Sequence, residues 1–202
     1  MSATRARVST LSVNERALRA ASVLRRITYV RVVLVPVVMW LILRSPITHA
    51  AGVAAVLFAI AAATDFLDGY LARRWAATTT LGGFLDTTAD KFLVSGVLIA
   101  LVAAGRASPW VATIIVGREL LILGLRGVVA VGGTVISPSI WGKLKANAQF
   151  VAVFLAILRP GSPIGPFYLD EWVMWAAAAV TTLSAVEYLA RFSNRLTALR
   201  RR

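Results

Sequence analysis

Six apolar stretches, near Ile27–Leu43, Ile47–Leu71, Leu81–Ala104, Trp110–Val131, Ile140–Leu158 and Phe167–Leu189, take up most of this chain and decide what it can fold into. Each is close to the roughly 20 apolar residues that cross a bilayer as a helix. The breaks between them have physical causes. Ser45-Pro46, Gly105 to Pro109, Gly132 to Pro138 and Arg159 to Pro166 are rich in Gly, Pro and Ser, which interrupt helices, and Arg73 to Thr80 is short and polar. Of the 202 residues 58% are hydrophobic, against about 45–50% in soluble domains. One soluble core of this length could not hide so much apolar surface. The expectation is an all-α integral membrane protein of six transmembrane helices spanning residues 27–190, with no internal repeat and no domain boundary.

Charge gives the orientation. The chain has 22 Lys+Arg against 9 Asp+Glu, a formal +13. The basic residues flank the apolar runs, which suits anionic lipid headgroups of a bilayer and argues against nucleic acid as a partner. Residues 1–26 carry six Arg with scattered Leu and Val and no apolar core of signal-peptide length. They read as a basic segment ending in an amphipathic interfacial helix. Residues 191–202 read as a basic tail. The N-terminal stretch, Arg73, Arg74, Lys143, Lys145 and the tail fall on one side; Arg44, Arg106 and Arg159 fall on the other with Asp170 and Glu171. By the positive-inside rule both termini face the cytoplasm, and six spans satisfy the even number this requires. There are no cysteines and a single His49 beside a loop, which removes thiolate chemistry and a His-based metal site.

Four of the nine acids, Asp65, Asp68, Asp86 and Asp90, sit at the cytoplasmic end of the second stretch and the start of the third. A charge inside a bilayer costs about 2.5–3.5 kcal/mol even on the lenient scale, so a chain that keeps four needs them. Asp65 and Asp68 are three apart and Asp86 and Asp90 four apart, so each pair shares a helix face. A short link should bring the two faces together. The carboxylates would then repel or take up protons unless one or two cations relieve them. All-oxygen ligation favours Mg²⁺ or Mn²⁺ over Zn²⁺. Gly69, Ala72 and Gly82 add almost no side chain to these faces, and Arg73 at the membrane edge could grip a phosphate.

The pattern Asp65-x2-Asp68-Gly69-x2-Ala72-Arg73-x8-Gly82-x3-Asp86-x3-Asp90 is similar to the signature of the CDP-alcohol phosphotransferases. The resemblance implies a six-helix membrane enzyme, a homodimer of the bacterial cell membrane, that transfers a substituted phosphate from a CDP-linked donor to an alcohol and releases CMP. It implies that Asp65, Asp68 and Asp86 hold the metals, that Asp90 is a further ligand and the general base, and that Asp68, Gly69, Ala72, Arg73 and Gly82 border the nucleotide.

Further along, Gly117-Arg118-Glu119-Leu120, Gly124-Leu125-Arg126 and Trp141-Gly142-Lys143-Leu144-Lys145 resemble the phosphatidylglycerophosphate synthase branch of that family. This implies CDP-diacylglycerol as donor and glycerol 3-phosphate as acceptor. The residues agree, since an anionic acceptor needs cations and Arg118, Arg126, Lys143 and Lys145 lie in or beside apolar helices. Arg118 and Arg126 are eight apart, close to two turns, and share a face. Glu119 could orient Arg118. An inositol phosphate or phosphatidylglycerol is the alternative acceptor. An ion-coupled transporter is the competing class, because intramembrane Asp also mark ion paths; such proteins commonly show internal repeats.

Overall fold

A computed structural model of the chain describes residues 26–44, 49–74, 80–131 and 140–200, together with Ser22; side chains are described in these ranges except at 65–74, 80–86, 129–131, 140, 141, 143 and 194–200. Among the described residues six helices follow one another: α1 Arg26–Leu43, α2 Ala50–Arg74, α3 Thr80–Ala103, α4 Pro109–Val131, α5 Ile140–Leu158 and α6 Leu169–Arg200. The same residues contain no strand, only an isolated bridge between Ile164 and Phe167 in the turn before α6. The N-terminal interfacial helix expected from the sequence lies outside the described residues.

The helix ends are set by local chemistry. At the end of α3, Gly105 takes a left-handed φ of 67°, and the backbone N–H of Arg106 donates to Leu101 O at 2.8 Å while that of Gly105 donates to Val102 O at 3.0 Å. This is a Schellman cap, in which glycine bears the left-handed turn without a Cβ penalty. Helix α4 then opens with Ser108 and Pro109, a polar cap residue and a proline whose missing N–H costs nothing at the first helical position. Helix α6 runs to Arg200 without a break, so the basic segment read as a tail from residue 191 continues the helix.

Helix α5 is the centre of the bundle: it packs most extensively on α6 and also touches α2 and α3, while α4 bridges α3 and α6. Buried alanines on these helices (Ala54, Ala55 and Ala61 on α2, Ala152 and Ala156 on α5, Ala177 and Ala178 on α6) let backbones approach closely. Helix α1 seats Val35, Val38 and Ile42 fully in the core. It approaches α3 at Gly96, where an added Cβ would stand 2.6 Å from Val35 Cγ1.

The outside of the bundle is apolar too. Val33, Val56, Ile60, Ile99, Leu120, Val151, Leu183 and Val186 are exposed along the helices, where a soluble protein would place polar groups. Exposed Trp40, Trp110, Trp172 and Trp175 gather at the end of α1 and the starts of α4 and α6, an arrangement familiar from membrane interfaces. Among the described residues two helices, Arg26–Leu43 and Leu169–Ser193, are long and apolar enough to cross a membrane, and Ala50–Thr64 and Leu144–Leu158 form shorter apolar helices.

At the end bearing the tryptophans, Arg159 ties two connections together. Its backbone is left-handed at φ 46°. Its guanidinium donates to Gly105 O and to Glu171 Oε1, each at 3.0 Å, and lies 4.1 Å from the centre of the Tyr168 ring. Glu171 Oε2 accepts the Tyr168 backbone N–H at 2.9 Å and so caps α6.

Candidate functional site

The four aspartates fall on two helices that touch, Asp65 and Asp68 on α2 and Asp86 and Asp90 on α3. The side chains of Asp65, Asp68 and Asp86 lie outside the described residues, as do those of Arg73 and Lys143. Gly69 and Ala72 are on α2 and Gly82 is on α3. Asp90 is described and lines a cavity of about 190 Å³ between α3, α4 and α5.

That cavity has a charged wall. Lys91 from α3, Arg118, Glu119 and Arg126 from α4, and Lys145 and Gln149 from α5 all line it. The eight-residue spacing of Arg118 and Arg126 does put both on one wall. At the centre stands Glu119, only 3% exposed. Its Oε2 pairs with Lys91 Nζ at 2.9 Å and its Oε1 with Arg118 NH1 at 3.1 Å. Lys145 Nζ pairs with the same Oε1. Gln149 Nε2 donates to that oxygen at 3.3 Å and to Thr181 Oγ1 on α6 at 2.9 Å. A buried carboxylate needs such partners, because desolvation would otherwise make its charge prohibitive.

Lys91 has a second partner. Its Nζ also meets Asp90 Oδ2 at 2.9 Å, so one ammonium joins the aspartate of the motif to the charged wall. Arg118 reaches α6 as well, with NH2 donating to Ser184 Oγ at 2.9 Å. The Arg126 guanidinium lies 5.7 Å from the centre of the Tyr188 ring. Thr181 and Ser184 are three apart and Tyr188 four further on, one buried face of α6 turned toward α4 and α5.

Of the cations expected to bind an acceptor phosphate, Arg118, Arg126 and Lys145 are brought to one cavity. Lys145 is buried on Glu119, so it does not snorkel to the helix end. Sequence reasoning missed Lys91, Gln149, Thr181 and Ser184. Lys91 had a signal, an ammonium inside an apolar run next to Asp90. Gln149 is four residues after Lys145, on its face.

Among the described residues the cavity holds four cations against two carboxylates, Asp90 and Glu119. Among these described groups the cations thus exceed the carboxylates by two, in a space of roughly six waters at about 30 Å³ each. An anion of about that charge and size suits it, and a phosphate monoester carries about −1.5 to −2 at neutral pH.

A family model described as CDP-alcohol phosphatidyltransferase matches residues 25–183. A Bacillus subtilis (strain 168) protein named CDP-diacylglycerol–glycerol-3-phosphate 3-phosphatidyltransferase is 37% identical over 181 residues, covering 82% of this chain and 92% of its own length. Proteins of the same name from Escherichia coli (strain K12) and Shigella flexneri serotype 5b (strain 8401) are each 38% identical over 168 residues, covering 81% of this chain and 90% of theirs. The matched stretch takes in α1 to α5, the aspartate motif, the charged wall and the first part of α6 as far as Leu183, and the chain belongs to the CDP-alcohol phosphatidyltransferase family.

Proposed function

We propose that this protein transfers a phosphatidyl group from CDP-diacylglycerol to glycerol 3-phosphate, giving phosphatidylglycerol phosphate and CMP. The observation that carries the reading is the cavity in which Asp90 and a surplus of cations share one wall, joined by Lys91. A base and an anion cradle side by side are what an acceptor with a hydroxyl and a phosphate requires. The relatives named for this same reaction support it.

Arg118, Arg126, Lys145 and Lys143 bind the acceptor phosphate through charge-assisted hydrogen bonds. Asp90 accepts the proton of the acceptor hydroxyl as its oxygen attacks the lipid-bearing phosphorus. A phosphorus–oxygen bond forms to the acceptor as the bond to CMP breaks. Asp68, Gly69, Ala72, Arg73 and Gly82 border the cytidine diphosphate, where small residues let the nucleotide approach the backbone.

The donor set fits a hard divalent cation, since Asp65, Asp68, Asp86 and Asp90 offer oxygen alone on two neighbouring helices. These carboxylates would hold one or two Mg²⁺ or Mn²⁺ ions, which would supply positive charge for the pyrophosphate and the leaving CMP. The six helices span the membrane with both termini and the aspartates at the cytoplasmic face. The apolar exterior and the tryptophans at the opposite end support that placement. So do exposed Thr113 and Thr182, whose hydroxyls donate to carbonyls of their own helices.

The test is an acceptor panel with purified protein, CDP-diacylglycerol and Mg²⁺, scored by product lipid. Glycerol 3-phosphate should give phosphatidylglycerol phosphate and CMP in equal amounts. Product only from an inositol phosphate or phosphatidylglycerol would reassign the acceptor. Ion flux in vesicles without nucleotide, and no CMP, would move the protein to the transporter class.

A further inference from the structure

We infer that Glu119 is the positioning residue of the acceptor cradle, a role that rests on the reading above. A carboxylate makes a poor wall for an anion site, since it repels the ligand. Glu119 nevertheless lines this cavity and is almost wholly buried. Its contacts explain why. It draws together an ammonium from α3, a guanidinium from α4 and an ammonium from α5.

Those three cations would otherwise repel one another in a poorly screened interior. Lys and Arg have long stems and turn toward water when nothing holds them. Glu119 removes one unit of that repulsion and gives each cation a fixed partner. It is itself fixed by Gln149, which Thr181 on α6 holds from behind. The cradle is therefore built around an internal anion that never needs to touch the substrate.

The arrangement also sets register. Lys91 Nζ is 2.9 Å from Glu119 Oε2 and 2.9 Å from Asp90 Oδ2. The acceptor phosphate, bound to cations that Glu119 places, thus lies at a set distance from the group that takes its hydroxyl proton. Loss of Glu119 should loosen the acceptor and leave the donor, whose nucleotide is bordered by Asp68, Gly69, Ala72 and Arg73 of α2 and Gly82 of α3, none of them among the described partners of Glu119, unaffected.

The experiment compares the full chain in detergent as wild type, Glu119→Gln and Glu119→Asp, with CDP-diacylglycerol, Mg²⁺ and varied glycerol 3-phosphate. Glu119→Gln keeps the shape and removes the charge. It should raise the acceptor KM about tenfold or more and leave the donor KM unchanged. Glu119→Asp restores the charge on a shorter arm and should show an intermediate rise of about threefold. Without donor, glycerol 3-phosphate should raise the melting temperature of wild type and fail to raise that of Glu119→Gln.

An unmoved acceptor KM in Glu119→Gln overturns the positioning role, as does a parallel rise in both KM values, the mark of a merely structural ion pair. Should Glu119→Gln not fold, Glu119→Asp decides: a raised acceptor KM with the donor KM kept supports the role, and a wild-type acceptor KM overturns it. Wild-type protein that makes no lipid from glycerol 3-phosphate defeats the functional reading itself and this inference with it. Wild-type turnover beside an unaltered variant defeats the inference alone.

Discussion

Lys145→Met isolates one cation of the cradle with little damage to the fold. The methionine keeps the length of the buried stem. Glu119 is not orphaned by the change, because it retains Lys91 at 2.9 Å, Arg118 at 3.1 Å and Gln149 at 3.3 Å. What is lost is a positive charge facing the cavity. A hydrogen bond to a charged group contributes about 1.5–3 kcal/mol, and about 1.4 kcal/mol is tenfold in affinity. The acceptor KM should therefore rise about 10- to 140-fold at 25 °C. The assay is steady-state transfer in mixed micelles, with glycerol 3-phosphate varied at saturating CDP-diacylglycerol and then the reverse. The donor KM should stay at its wild-type value. A rise in acceptor KM below about threefold, or an equal rise for the donor, would refute the placement of Lys145 on the acceptor phosphate.

Asp90→Asn should lower transfer by about 10²- to 10⁴-fold while CDP-diacylglycerol still binds, because the amide cannot take the hydroxyl proton; wild-type turnover in that variant sinks the base assignment. Chelation with EDTA should abolish CMP release and Mg²⁺ should restore it; activity that persists after exhaustive chelation would remove the cation from the four-aspartate reading. Gly96→Ala should destabilise by about 1–3 kcal/mol, since its Cβ would meet Val35 Cγ1 at 2.6 Å and a valine in a helix has no other easy rotamer; a melting temperature equal to wild type would contradict the close approach of α1 to α3. Glu171→Ala removes the cap on Tyr168 N–H and the partner of Arg159. It should cost about 1 kcal/mol of stability with unaltered kinetics, and a shift in either KM would count against placing the chemistry at the opposite end.

How much of this is legible in the chain depends on the range of the forces involved. Helix bounds are local. Apolar runs ended by Gly105, Pro109 or Pro160 specify where a helix can exist, and the starts and stops read from the sequence agree with α1 to α5 within about three residues. The far end of α6 escapes such a reading, because its last turns are polar and basic and carry no apolar signal to set them apart from a tail. Motif spacing is also local, so the residue pattern by itself assigns the aspartates to facing ends of α2 and α3, and Arg118 and Arg126 to one face. Only the tertiary structure decided which charge meets which. Gln149 one turn past Lys145, and Thr181 with Ser184, are ordinary residues in sequence, and Lys91 stands out there only as a cation in an apolar run, with no sign of its partner on α4. They become one network because α5 packs against both α3 and α6, and because α4 is turned so that Glu119 faces inward. Helix rotation and neighbour choice arise from the packing of whole surfaces, and no single stretch of sequence carries that information.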